Sequence, residues 1–157
     1  MGDLDLIDRK IIAELMRDTT VPVAQIADRV GLSQTPCWKR IQKLEAQGII
    51  TGRVALVDPA RIGFGLTVFV GIEAPDHSAQ WRDSFFKALT TLPEVMDAFR
   101  MAGEMDYLLR VAVRDMAAFD TFYRRLTDAV AIKNVTSHFA MERIKTTTAY
   151  PIDTQTR

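Results

Sequence analysis

The periodicity of the hydrophobic residues changes near residue 57, and this change constrains the fold more than any other feature. Before it, apolar residues recur at spacings of three and four, as Leu4, Ile7 and Ile11 do, which is typical of amphipathic helices. After it, short apolar runs predict strands interleaved with two amphipathic helices. A length of 157 residues accommodates two small domains. We therefore predict an α+β protein with a helical N-terminal domain.

Three helices are predicted in the first half. Gly31 suits the left-handed residue that ends the second helix, and Ser33 is a good N-cap for a third helix from about Gln34 to Gln47. Because Pro36 has no amide hydrogen, Ser33 is expected to cap this helix through the amide of Thr35. The short turn between the second and third helices predicts a helix-turn-helix.

The segment from Ile49 to Val57 follows the third helix. It is short, rich in β-branched residues and interrupted by Gly52, which predicts a two-stranded ribbon. Three helices followed by a ribbon describe a winged helix-turn-helix, so residues 1–57 are predicted to form a DNA-binding domain.

The third helix has a core face and a polar outer face. At about 100° per residue, Cys37, Ile41 and Leu44 face the first two helices. The candidate DNA contacts are Ser33, Gln34, Thr35, Pro36, Trp38, Lys39, Arg40, Gln42 and Lys43, with Arg53 of the ribbon. A surface that is polar at its tip and cationic further along suits a major groove. The alternatives are a merely solvated helix face and a Trp38 that packs at the edge of the first helix.

The charge distribution supports the DNA-binding interpretation. The chain has 20 basic and 20 acidic residues, so a uniformly basic coat is excluded. Locally, however, residues 29–53 contain five cations, Arg29, Lys39, Arg40, Lys43 and Arg53, against the single acid Glu45. The first 28 residues hold the balancing acids. The neutral total therefore conceals a basic patch at the predicted motif.

The second half predicts a ferredoxin-like βαββαβ domain over residues 66–157, after a turn-rich linker at 58–65. The predicted strands are Leu66 to Glu73, Val95 to Met101, Tyr107 to Val113 and Val135 to Lys145. In this topology both helices cover one face of the sheet. The other face is left bare and still carries apolar residues, so a partner sheet is expected to cover it.

The loop Gly103, Glu104, Met105, Asp106 and Tyr107 is the candidate effector site. Gly103 permits a positive φ and close approach, and backbone amides in such a turn can hold a carboxylate. Glu104 or Asp106 can accept hydrogen bonds from an ammonium group. An α-amino acid presents both charges on one carbon. The alternative is an ordinary hairpin loop with solvated acids.

Composition excludes several other classes of protein. No apolar run approaches the ~20 residues that span a bilayer, and the N-terminus lacks the pattern of a secretion signal, so a cytoplasmic location is expected. One cysteine and two histidines make a metal site improbable, and no cofactor is predicted. There is no phosphate-binding glycine loop or nucleophile elbow, which argues against an enzyme.

Taken together, the motifs resemble one known family. The residues that carry the resemblance are Leu4 to Ile11, Ile26 to Cys37, Arg40 to Ile50, Gly103 to Leu109 and Glu142 to Thr148. In this order and over nearly the whole chain, they resemble the leucine-responsive regulator/asparagine regulator (Lrp/AsnC, feast/famine) family of transcription factors.

The resemblance implies a winged helix-turn-helix followed by a RAM-type effector-sensing and dimerising domain. It also implies double-stranded DNA as partner and a small amino acid as effector, bound near residues 103–107. The expected assembly is a dimer that forms octamers, and the expected location is the cytoplasm, in association with the nucleoid. The residues alone leave one alternative open, an amino-acid-binding module that regulates an enzyme by protein contact. The family's variation at Gln34 and Trp38 leaves the operator sequence open.

Overall fold

The computed structural model describes residues 4–156, so residues 1–3 and 157, at the outer ends of the predicted domains, lie outside the described residues. The chain divides into two compact units, one of Met1–Ala55 with Ile144–Arg157 and one of Leu56–Arg143. The predicted linker at 58–65 contains a short 3-10 helix, Ala60–Ile62. The predicted second domain included the residues from 144 onward. Their contacts instead group them with the first unit. Between residues 4 and 156, no helix is long and apolar enough to cross a membrane.

The first unit contains three helices, α1 (Leu6–Arg17), α2 (Val23–Val30) and α3 (Gln34–Ala46). Asp5 caps α1 by accepting a hydrogen bond from the Asp8 amide at 2.8 Å. Gly31 ends α2 with φ 77°, and the amide of Leu32 returns to the carbonyl of Ala27 at 2.9 Å. The buried core consists of Ile11, Leu15, Ile26, Ala27, Val30, Cys37, Ile41 and Leu44. The predicted helix-turn-helix is confirmed.

The predicted ribbon is wrong for this chain as described, because residues 51–57 form no strand. The side chains of Val54, Leu56 and Val57 are 79%, 73% and 62% exposed. A two-stranded ribbon is marginal unless one face packs on a core, and these side chains have no such cover. The β-branched composition of this segment is therefore not sufficient for a hydrogen-bonded pair of strands.

The second unit is a four-stranded antiparallel sheet with two helices. Its elements are β1 (Leu66–Glu73), α4 (Ala79–Thr90), β2 (Val95–Arg100), β3 (Tyr107–Val113), α5 (Met116–Ala129) and β4 (Asn134–Phe139). The strand order is β2-β3-β1-β4, as the ferredoxin-like topology requires. Ser78 and Asp115 cap α4 and α5 through their side chains, as the sequence suggests for such residues.

The core of this unit lies between the helices and one face of the sheet. Alternate residues of β1 and β3, such as Val68, Ile72 and Leu109, are fully buried against Phe85 of α4 and Phe122 of α5. The strict alternation along β3 is what a sheet with one covered face produces. The predicted α+β class and the ferredoxin-like topology of this unit are confirmed.

The last strand is shorter than the sequence predicts. The alternating pattern runs from Val135 to Lys145, but β4 ends at Phe139. The amide of Ala140 still donates to the carbonyl of Thr67 at 2.9 Å, and β1 begins only one residue earlier, at Leu66. Beyond Ala140 no strand among residues 4–156 is placed to pair with this segment, so alternation alone cannot extend the sheet.

Candidate DNA-binding surface and effector cleft

The inner face of α3 is buried as predicted. Cys37, Ile41 and Leu44 are 0%, 2% and 1% exposed, and they pack against α1 and α2. Burial also raises the pKa of the Cys37 thiol, so this cysteine is a protonated core residue. The remaining surface of the helix is therefore free to face a ligand.

The outer face of α3 is continuous and exposed. Most of the predicted DNA contacts lie on it, namely Ser33, Gln34, Thr35, Pro36, Trp38, Lys39, Gln42 and Lys43. Trp38 is 51% exposed, so about half of this residue's surface is accessible to a ligand. The predicted cap is wrong, because the Ser33 side chain makes no capping hydrogen bond. With the third amide of the helix missing at Pro36, the Ser33 hydroxyl stays in solvent and only its carbonyl is used, by the Cys37 amide at 3.2 Å.

Arg40 does not belong to the open part of this face. Its Nη1 donates to Asp5 Oδ2 at 2.6 Å and to Asp8 Oδ1 at 2.7 Å, joining α3 to the start of α1. Asp8 is 5% exposed, so the acidic end of this contact is buried, whereas the Arg40 side chain is 33% exposed. The hydrogen bond from the Asp8 amide, together with Arg40, holds the pKa of Asp5 below its usual range, and both acids raise the pKa of Arg40. The geometry gives Arg40 a structural partner that the charge count did not reveal.

Arg53 and Gln42 share an acidic partner. Arg53 Nη2 lies 2.6 Å from Glu45 Oε1, and Gln42 Nε2 donates to Glu45 Oε2 at 3.1 Å. These contacts are exposed, so each is worth little and a phosphate can replace it. Among the five cations of the basic patch, Lys39 and Lys43 alone take part in no ion pair within the described residues.

The loop of residues 103–107 is held in place by Asp106. Its amide donates to the Ile72 carbonyl at 2.9 Å, and its carbonyl accepts from the Met101 amide at 2.8 Å. The carboxylate Oδ2 also accepts from the Ala74 amide at 2.8 Å. Gly103 has φ 136°, a conformation that other residues adopt only with strain. The Asp106 end of the predicted effector loop is thus anchored to β1 and to the segment that follows β1.

The other side chains of the loop point to different surroundings. The Met105 sulfur lies 3.2 Å from where a Cβ on Gly71 would stand, so it covers the outer sheet face. Tyr107 is 7% exposed, and its ring packs at a tilt against the rings of Trp81 and Phe85, at centroid distances of 5.8 and 4.7 Å. Glu104 is exposed.

An open cleft lies beside this loop, and only part of it was predicted. Asp106 and Tyr107 line it, whereas Gly103, Glu104 and Met105 do not. The other lining residues are Asp76, His77, Ser78, Trp81, Arg82, Arg100 and Met101. The signal that could have found them is the strand pairing. Because β1 runs antiparallel to β3, with Ile72 opposite Tyr107, the segment after β1 must meet the loop before β3.

Two of the cleft's acidic groups already have partners inside the chain. Asp76 accepts a hydrogen bond from the Ser78 amide at 2.8 Å, and the Ser78 hydrogen bonds hold the pKa of Asp76 below its usual range. Asp106 Oδ1 lies 3.9 Å from Nδ1 of the exposed His77. His138, the other histidine, lies opposite Phe69 on the outer face of the sheet and does not line the cleft.

Comparison with known proteins matches both halves of the chain to one family. Residues 4–45 match the AsnC-type helix-turn-helix domain, and residues 67–150 match the Lrp/AsnC ligand binding domain. The DNA-binding transcriptional activator DecR of Escherichia coli is 51% identical over 96% of this chain and 99% of its own length.

Solved structures show the same similarity. An AsnC family transcriptional regulator from Agrobacterium tumefaciens superposes with a TM-score of 0.90 at 50% identity, covering 94% of this chain and 96% of that one. A transcriptional regulator from Neisseria meningitidis, solved as a complex with L-methionine, also gives 0.90, at 32% identity, covering 95% of this chain and 97% of that one.

Proposed function

This chain belongs to the Lrp/AsnC family of DNA-binding transcriptional regulators, and from that premise we propose that α3 reads DNA and that the cleft beside residues 103–107 binds an amino acid. The family assignment confirms the prediction of a regulator and not an enzyme. It also favours DNA binding over the alternative of a module that acts on an enzyme by contact.

The proposal that α3 binds DNA rests on one observation, the exposed outer face of this helix. Its tip presents the short polar side chains of Gln34 and Thr35, which suit base edges in the major groove. Lys39 and Lys43 lie four residues apart, on the same side of the helix, and are free to contact phosphates. Arg40 is excluded from the proposed contacts because it is committed to Asp5 and Asp8.

A gel-shift assay on the DNA upstream of the protein's own gene tests this function. We expect a specific complex that competitor DNA of random sequence does not remove, because base contacts add to the phosphate contacts. A protein that binds amino acids but shifts no DNA would instead support the enzyme-contact alternative.

The effector proposal rests on the position of the cleft at the fixed loop around Asp106. An α-ammonium group can bind Asp106 Oδ1, whose nearest ion-pair partner among residues 4–156 is His77 at 3.9 Å. The L-methionine complex of the Neisseria meningitidis regulator supports an amino acid as the class of ligand. A ligand that binds one assembly state more tightly shifts the population toward it, and DNA occupancy changes with that population.

Asp106→Asn is expected to abolish the response to the amino acid while leaving DNA binding without effector unchanged. The amide oxygen of asparagine can still accept from the Ala74 amide, so the loop keeps its anchor, but the charge that binds the ammonium group is removed. An effector typically changes affinity by about 5–150-fold, and we expect this factor to fall to about one. Fluorescence anisotropy on operator DNA with and without amino acid measures it.

The matched control is Asp128→Asn, which removes an exposed carboxylate from α5 outside the cleft. It should respond to the amino acid as the parent does. An unchanged response in Asp106→Asn would move the effector site elsewhere.

We also propose that the outer face of the sheet is the dimer interface. Helices cover only the opposite face, while Phe69 and Phe99 remain 38% and 54% exposed on this one. Arg110 and Asp97 pair with each other on the same face, which neutralises its charge before burial. Two such faces on a two-fold axis would cover each other. Further assembly into octamers, and a cytoplasmic, nucleoid-associated location, are part of the same proposal.

Phe99→Lys is expected to shift the protein from dimers to monomers, because the interface would have to desolvate two ammonium groups. Met116→Lys is the matched control, since Met116 is 57% exposed but lies at the start of α5. Sedimentation velocity on the full chain at micromolar concentration distinguishes the two. Dimers of equal stability in both variants would show that the interface lies elsewhere.

A further inference from the structure

Gly71 leaves a gap in the outer face of the sheet. Its neighbours in β1, Val70 and Ile72, are fully buried against the helices, so position 71 faces the opposite side. Gly71 lies between Leu108 of β3 and Thr136 of β4, its partners in the two adjoining strands. A glycine inside a strand often marks a site where another group approaches the backbone closely. Position 71 is therefore a socket on the outer face.

The side chain of Met105 occupies this socket. Its Sδ and Cε lie 3.2 and 3.3 Å from the point where a Cβ at position 71 would stand. These distances are shorter than the ~3.5–4.0 Å of an ordinary contact, so a larger residue at position 71 would have to push the methionine aside. Gly71 is buried although the helices cover the opposite face, and Met105 itself is half-buried. Met105 therefore forms part of the surface that we propose as the dimer interface.

The effector loop thus contributes to two surfaces. Asp106, the next residue, lines the cleft, and its Oδ1 is the atom that we assign to the ammonium group of the ligand. Its amide and its carboxylate are bound to β1 and to the segment after β1, through Ile72 and Ala74. Only one peptide unit, about 3.8 Å between Cα atoms, separates the residue in the cleft from the residue in the socket. The cleft and the outer face therefore act on the same short piece of chain.

We propose that Met105 couples the cleft to the dimer: an amino acid bound at Asp106 changes the stability of the dimer through the seating of Met105 in the Gly71 socket. This rests on the proposed amino-acid response and the proposed dimer interface, and it adds the residue that connects them. Packed surfaces transmit small displacements because they contain few voids. The coupling is reciprocal, so the dimer and the monomer bind the amino acid with different affinities.

A methionine that merely fills the socket would behave differently. Its removal would change the stability of the dimer, because apolar surface would be lost from the interface, but the dimer would still respond to the amino acid. Loss of the response itself identifies a coupling residue. The quantity that separates the two roles is the ratio of the dimer dissociation constants with and without the amino acid.

Sedimentation equilibrium of the full-length protein measures this ratio, without effector and with each of the twenty common amino acids as probes. We expect at least one amino acid to change the dimer dissociation constant of the parent by about 5–150-fold. In Met105→Ala the ratio should fall to about one. Calorimetry should still detect binding of the same amino acid, because Met105 does not line the cleft.

Gly71→Val perturbs the same contact from the other side. Valine suits a strand, and its side chain takes the space that Met105 occupies, so the ratio should again fall to about one. Met105→Leu conserves the volume and the apolar character of the side chain and should keep most of the response. Met116→Ala is the matched control for Met105→Ala, because Met116 is 57% exposed at the start of α5, and it should respond as the parent does.

Each outcome has a separate meaning. An unchanged ratio in Met105→Ala overturns the coupling role and leaves the effector site standing, as does a parent that binds an amino acid without any change in its dimer constant. Binding of no amino acid, or a parent that stays monomeric, removes the proposal together with the effector site or the interface on which it rests. If Gly71→Val does not fold, the comparison of Met105→Ala with Met105→Leu decides alone.

Discussion

Arg40→Ala is expected to lower the free energy of unfolding of the first unit by about 3 kcal/mol, the low end of the range for breaking a buried ion pair. Removing the guanidinium leaves Asp8, at 5% exposure, without its cationic partner. The low end applies because the Arg40 side chain is 33% exposed and water can replace part of the contact. Hydrogen exchange of the α1 and α3 amides reports this destabilisation in the unit that contains it.

Arg29→Ala is the matched control for Arg40→Ala. Arg29 bonds to Glu14 at 2.6 Å, as closely as Arg40 bonds to Asp5, but its side chain is 51% exposed. We expect a cost of at most about 1 kcal/mol, as for other surface pairs. Equal costs in the two variants would contradict the structural role of Arg40 and return it to the candidate DNA contacts.

Lys43→Glu is expected to weaken DNA binding at least about tenfold on specific and random sequences alike. A hydrogen bond from a charged group to a phosphate is worth about 1.5–3 kcal/mol, and the new carboxylate repels the backbone as well. The slope of the salt dependence should fall by about one unit for each phosphate that the protein no longer neutralises. Anisotropy titrations at several salt concentrations give both quantities.

Two further variants separate charge from base reading. Lys87→Glu makes the same charge change on α4 of the second unit and should leave the DNA affinity nearly unchanged. Thr35→Ala should relax the preference at one base position by about 1–3 kcal/mol while leaving random DNA unaffected. If Lys43→Glu bound every duplex as the parent does, the proposed face of α3 would be wrong.

The elements whose ends carry local signals were predictable from the sequence. β1 and β3 match their predicted bounds because they are short apolar runs bounded by turn residues. Gly31 likewise marks the end of α2, since a left-handed residue there favours glycine. The ribbon could not be predicted in the same way. A strand needs a neighbouring strand to pair with, and the local sequence of residues 51–57 carries no information about such a partner.

The site residues show the same division between local and long-range information. The outer face of α3 follows from helical period alone, so its residues could be assigned from sequence. The partners of Arg40 lie 35 and 32 positions away, and no local pattern reveals them. Arg82 and Arg100 meet the loop of Asp106 only through the pairing of β1, β2 and β3, which is why the sequence pointed to the loop and missed the cleft.

The most direct test of an amino-acid-responsive regulator is the dissociation constant of the full-length protein for its upstream DNA, measured without effector and with each of the twenty common amino acids. We expect specific binding at least about a thousandfold tighter than binding to a scrambled duplex. The amino acid should change the specific constant by about 5–150-fold, and DNA should change the affinity for the amino acid by the same factor. Equal affinity for both duplexes, or a constant that no amino acid alters, would contradict this function.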